Sequence, residues 1–194
     1  MIIIDSEEKI AILENLSGDY RDCPKGGSNL LEIAIKFLKE NKKKFNINKI
    51  TLTDNSTKAC FGKSIIFADM YTLLYGTTWY MKHGFLPYDS LFNKLNKKHL
   101  EKANNNKKIM ENAKISDIPE LINYIKKYGS DTYDIDEFDK KIKGIQNYKI
   151  TTFIRWLLKK YNEDSCTLFY NIYKKIMQDL GLISMHGKSF FMEI

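Results

Sequence analysis

Tyr71 to Pro87, YTLLYGTTWYMKHGFLP, is the stretch whose reading decides the fold. Tyr71, Leu74, Tyr75, Trp79 and Tyr80 recur at helical spacings, which predicts an aromatic and aliphatic stripe on one helical face. Gly84 is placed to end that helix in a left-handed conformation. Phe85-Leu86 before Pro87 then reads as a short strand whose end the proline fixes. A buried helix is expected to hand the chain directly into a sheet.

Toward the N-terminus, Met1–Ile4 and Ile10–Leu16 are apolar runs separated by the polar turn Asp5–Lys9, the pattern of a hairpin. A loop dense in turn formers runs from Ser17 to Gly27. Ser28 or Asn29 caps the next helix, whose core face is Leu30, Leu31, Ala34, Ile35 and Leu38. Glu32 in its first turn and Lys39 near its last suit the helix dipole, and Lys42-Lys43-Lys44 forms a solvated tip. Ile47–Thr53 reads as a strand, and a helix from about Ser64 leads into Tyr71.

Beyond Pro87 the composition turns to Lys and Asn. Leu91–Lys108 reads as a polar helix or a flexible excursion. Ser116 caps a helix over Ile118–Tyr128, Asp134–Gln146 is a charged helix, and Ile150–Tyr161 is amphipathic through Phe153, Trp156 and Leu157. Asp164 or Ser165 caps a last helix that ends at Gly181, and Gly187–Ile194 is a terminal strand. The expected class is α+β: a mixed sheet flanked by helices, formed by 1–90 and 183–194, with an all-helical insertion, 91–182, before the last strand.

The 194 residues suffice for one sizeable domain or a domain carrying an insertion. With 43% hydrophobic residues and three prolines, the chain has the makings of a packed core rather than of a disordered segment. No apolar run is long enough to span a bilayer, and Met1–Asp5 is too short for a signal peptide, so an intracellular, cytoplasmic protein without membrane contact is expected. Cys23, Cys60 and Cys166 are odd in number and far apart, which predicts buried or idle thiols rather than a disulfide or a zinc knuckle. His83, His99 and His186 have no metal-ligand spacing, and His83 reads as a helix-end cap.

The net charge of +7 suits an acidic partner such as nucleic acid or nucleotide phosphates. Arginine occurs only at Arg21 and Arg155, however, whereas base and phosphate recognition favours the arginine fork. Gly62-Lys63-Ser64 has the ending of a P-loop, but Thr57 stands where the first glycine belongs, which argues against nucleotide hydrolysis.

Trp79-Tyr80-Met81-Lys82-His83-Gly84-Phe85 resembles the Y-x-x-x-G-F signature of the GNAT superfamily of N-acetyltransferases, with Tyr80 four residues before Gly84. A second resemblance lies in Arg21-Asp22-Cys23-Pro24-Lys25-Gly26-Gly27-Ser28-Asn29, which looks like a variant of the family's R/Q-x-x-G-x-G/A turn. With Gly27 as the last glycine, Lys25 replaces the first, and Arg21 fits a loop one residue longer. Free amides at a helix start attract an anion, and glycines let the backbone approach it. The loop, the helices and strands that follow it, and the closing strand Phe190–Ile194 occur in the family's order.

The resemblance implies a GNAT-like, divergent and N-terminally shortened protein that transfers an acetyl group from acetyl-CoA directly to an amine acceptor. Arg21, Lys25, Gly26, Gly27, Ser28 and Asn29 would bind the cofactor. An amide of the Ile10–Leu16 strand would hold the thioester oxyanion, Glu14 would take the amine proton through water, and Tyr80 would protonate the departing thiolate. The acceptor wall would come from the helical block or from a second chain, giving a homodimer. The rival reading is a non-catalytic GNAT-like scaffold that binds nucleic acid or a protein through Leu91–Lys108 and the helix bearing Phe153, Trp156 and Leu157.

Overall fold

The structure, a computed structural model, describes residues 1–14, 26–129, 132–142 and 144–194. In chain order the elements are β1 (Ile2–Asp5), β2 (Ile10–Leu13), α1 (Gly26–Glu40), the single turn α2 (Lys42–Phe45), β3 (Lys49–Thr53), β4 (Thr57–Cys60), β5 (Lys63–Ile66), α3 (Phe67–Tyr75) and the single turn α4 (Trp79–Lys82). There follow β6 (Leu86–Asp89), β7 (Lys94–Leu95), α5 (Lys97–Asn112), α6 (Leu121–Gly129), α7 (Ile135–Ile142), α8 (Ile150–Lys160), α9 (Cys166–Asp179) and β8 (Ser189–Glu193). The chain is α+β with a mixed sheet. It divides into two compact units: Met1–Asp54 with His83–Lys97 and Gly187–Ile194, and Asn55–Lys82 with Lys98–His186.

The first unit holds six strands in the order β1-β2-β3-β8-β6-β7. β1 and β2 form the expected hairpin, with Ile3 opposite Ile12. β2 and β3 run parallel, Ala11 beside Ile50, because α1 carries the chain back between them. β8 then pairs antiparallel with β3 on one side and with β6 on the other. Ile50, Thr51 and Leu52 are consecutive and all buried, as are Phe190 and Phe191, so both faces of the middle of the sheet are covered.

Helix α1 buries Leu31, Ala34 and Leu38, one stripe at helical spacing, while Leu30, Ile33 and Phe37 are exposed on another face. It begins at Gly26, two residues before the expected cap. Ser28 and Asn29 therefore lie inside its first turn, which contains no acid, and Glu32 lies beyond it. A Ser-Asn pair suits either a cap or a first turn, so residue type alone does not set the boundary.

The stretch around Tyr71 also differs from its reading. Gly76 takes φ 71° and ends α3, its N–H donating to the Thr72 carbonyl. Thr78 Oγ1 then accepts the N–H of Met81 and starts α4. The single long helix is thus two pieces, and α3 buries Ala68, Asp69, Met70, Thr72 and Leu73 rather than the tyrosine stripe. Gly84 does adopt the left-handed conformation, φ 88°. Pro87 lies inside β6, not at its end; its carbonyl accepts from Asn96 N–H, so only its missing donor is lost.

The second unit starts with the β4–β5 hairpin, where a helix was expected from Ser64. Phe61 (φ 40°) and Gly62 (φ 76°) form its two-residue tip, and Cys60 pairs with Lys63. Gly62-Lys63-Ser64 is therefore the end of a hairpin turn and the start of β5. Helices α5 to α9 gather around Ile125, Ile150, Phe153, Ile154, Leu157, Phe169 and Ile176. Trp156 stacks on Phe138 with ring centres 4.4 Å apart. Phe153 and Leu157 are fully buried, so the apolar face of α8 is core and not a partner surface.

Two further links tie the second unit together. Cys60 and Cys166 form a disulfide with Cα atoms 5.8 Å apart, correcting the reading of both as idle thiols. Asp69 on α3, wholly buried, accepts from Lys174 Nζ on α9 at 2.9 Å. Burial works to lower the lysine's pKa, but the hydrogen bond and charge of Asp69 outweigh it, and the ammonium titrates above the ordinary lysine range. Among the described residues no helix is long and apolar enough to cross a membrane.

Candidate functional site

The best-placed site in the first unit follows from the parallel pairing of β2 and β3. Crevices beyond the carboxyl ends of parallel strands are where ligands bind in open sheets, and here α1 starts from that side. The first four amides of a helix have no intrahelical acceptor, so Gly26, Gly27, Ser28 and Asn29 present N–H groups and the positive end of the dipole. A Cβ built at Gly27 meets nothing within 4 Å among the described residues. With no acid in the first turn, the helix does not neutralise its own end. Arg21 and Lys25, also expected to bind the cofactor, lie outside the described residues.

Glu14 stands one residue past the end of β2, not inside it, and is exposed. Its N–H donates to the Met1 carbonyl at 3.0 Å, and its own carbonyl accepts from the Met1 amine at 2.7 Å. β2 is in register with β1 and β3 over all four residues. The rest of the Ile10–Leu16 run, expected to supply the oxyanion-holding amide, lies outside the described residues beyond Glu14.

Tyr80 belongs to the second unit, on α4, with 7% of its surface exposed and its ring edge-on to Trp79 at 4.9 Å. Glu14 and Gly26–Asn29 belong to the first unit. His83, read as a helix-end cap, places Nδ1 4.0 Å from Glu32 Oε1 of α1.

Two cavities lie elsewhere in the first unit. One of about 420 Å³ is lined by Glu8, Asn48, Lys49, Asn93, Glu193 and Ile194, and one of about 290 Å³ by Lys9, Lys42, Lys43 and Asn46 among others. Both sit where β2 and β3 begin, the end away from the start of α1. Among the described residues no group of His, Cys, Asp or Glu is arranged to hold a metal.

The buried Asp69–Lys174 pair and the disulfide escaped sequence reading because their members are 105 and 106 residues apart. Phe-Gly at residues 61–62 was the one local signal for the hairpin, and it is a weak one because phenylalanine seldom takes positive φ. Comparison of the chain with protein-family models, with curated proteins and with solved structures gives no match.

Proposed function

We propose that the protein is a GNAT-like, acyl-CoA-dependent N-acetyltransferase whose first unit holds the pyrophosphate of acetyl-CoA at the start of α1. One observation carries this reading: Gly26-Gly27 opens a 15-residue helix at the carboxyl side of a parallel strand pair, with no described residue within 4 Å of a Cβ at Gly27 and no acid in the first turn. The left-handed Gly84 between α4 and β6, and a closing strand β8 seated between β3 and β6, support it as well.

In this reading Arg21 and Lys25 add charge to the phosphate cradle. The acceptor nitrogen attacks the thioester carbonyl, a C–N bond forms and the C–S bond breaks. The ammonium proton leaves toward Glu14 through water, and the Tyr80 phenol returns a proton to the sulfur. Titration calorimetry with acetyl-CoA tests the proposal, with Gly27→Glu as control. Saturable binding abolished by Gly27→Glu is expected; no heat of binding at millimolar ligand would overturn it.

A further inference from the structure

The sequence places nearly all of the net positive charge in the second unit. There the β4–β5 hairpin lies against α9 and is held firmly. Its end next to the tip is joined to α9 by Cys60–Cys166, the Tyr173 hydroxyl donates to the Ser64 carbonyl at 3.4 Å, and Lys63 Nζ donates to Asn171 Oδ1 at 2.9 Å. On this surface cations and aromatic rings alternate. Lys58 Nζ stands 5.0 Å from the centre of the Tyr161 ring, Lys63 Nζ 4.8 Å from Tyr170, and Lys174 Nζ 6.0 Å from the same Tyr170. Among the described residues, the partners of Lys58 and Lys63 are neutral, so both charges are available to an anionic ligand.

Phe61 at the tip is 74% exposed and sits at φ 40°, a conformation in which Asn or Gly would be relaxed and a bulky aromatic is strained. An exposed aromatic beside two uncompensated lysines and half-exposed tyrosines is the combination that stacks unpaired bases while gripping the sugar-phosphate chain. Glu163 and Asp164, exposed in the turn after Tyr161, bound the track at that end.

We propose that the β4–β5 hairpin and the outward face of α9 form a binding surface for single-stranded nucleic acid, with Phe61, Tyr161 and Tyr170 as stacking platforms and Lys58 and Lys63 as phosphate contacts. The proposal does not rest on acetyltransferase activity, and it replaces the surface expected on α8, whose apolar face is core.

The test is fluorescence anisotropy of a labelled oligothymidylate of about 12 nucleotides, titrated with the full chain between about 50 and 200 mM salt. The log–log salt slope of the wild type should flatten by about 1.4 in K58A/K63A, since each lost single-strand phosphate contact removes about 0.7. F61A should bind roughly tenfold more weakly with the slope unchanged, as expected for a lost stacking platform. K36A/K39A on α1 is the charge-matched control and should bind as the wild type does; thermal melts establish that each variant is folded. Absence of binding at about 50 mM salt overturns the proposal. So do equal affinity for a duplex, equal competition by polyglutamate of the same charge, and a loss in K36A/K39A that matches the loss in K58A/K63A.

Discussion

Reducing the Cys60–Cys166 bond removes a cross-link between residues 106 apart in sequence while leaving both sulfurs in place. In the chain-entropy account, a closed loop of about that length destabilises the unfolded chain by roughly 4–5 kcal/mol at 25 °C, an upper figure because residual structure in the unfolded state lowers it. Trp79 and Trp156 both belong to the second unit, so tryptophan fluorescence during urea unfolding reports that unit alone. With a urea slope of about 2 kcal/mol/M, the midpoint should fall by roughly 2 M on reduction. The double variant C60A/C166A should show a similar fall and no further response to reductant. Alkylation of the unreduced, denatured protein followed by mass measurement should label one cysteine, Cys23, of the three. Three labelled cysteines, or equal midpoints with and without reductant, would refute the reasoning.

Lys174→Met should lower second-unit stability by about 3 kcal/mol, because the fully buried Asp69 loses its cation, and adding Asp69→Leu should recover much of the loss in the same urea assay. Burial raises the phenol pKa of Tyr133 and Tyr173. The folded unit therefore binds those protons more tightly than the unfolded chain, and the stability they contribute is complete below about pH 10 and lost as pH rises through the raised values; urea midpoints at pH 8, 9, 10 and 11 should hold and then drop. Tyr80→Phe should reduce acetyl transfer by about 100-fold with an unchanged melting temperature. Unchanged turnover in that variant would remove Tyr80 from the mechanism.

Sequence reading succeeded where a pattern is local. The apolar runs of β1 and β2, the stripe Leu31, Ala34 and Leu38 on α1, the helix α9 and the terminal strand are set by periodicity and by turn residues such as Gly84 and Gly181. It failed where competing local signals overlap. Tyr71 to Tyr80 keeps helical spacing on both sides of Gly76, yet Gly76 turns left-handed and Thr78 begins a second turn. Ile65, Ile66 and Phe67 continue that periodicity backward, although Ser64–Ile66 is pinned into β5 by pairing with Thr57–Ala59. The disulfide and the buried ion pair arise only when distant segments fold together, and no spacing in the chain announces them. For the candidate site, the glycines and their helix were legible, whereas the end of β2 before Glu14 depends on where pairing with β3 stops.

The claim that the start of α1 cradles the cofactor's phosphates is tested most directly by watching its amides. With glycine-selective ¹⁵N labelling, the ten glycines give a spectrum simple enough to follow during an acetyl-CoA titration. Saturable shifts of the Gly26 and Gly27 amides, absent when the phosphate-free thioester S-acetyl-N-acetylcysteamine replaces the cofactor, are the predicted result. Shifts confined to other glycines, or none at saturating acetyl-CoA, would contradict the account.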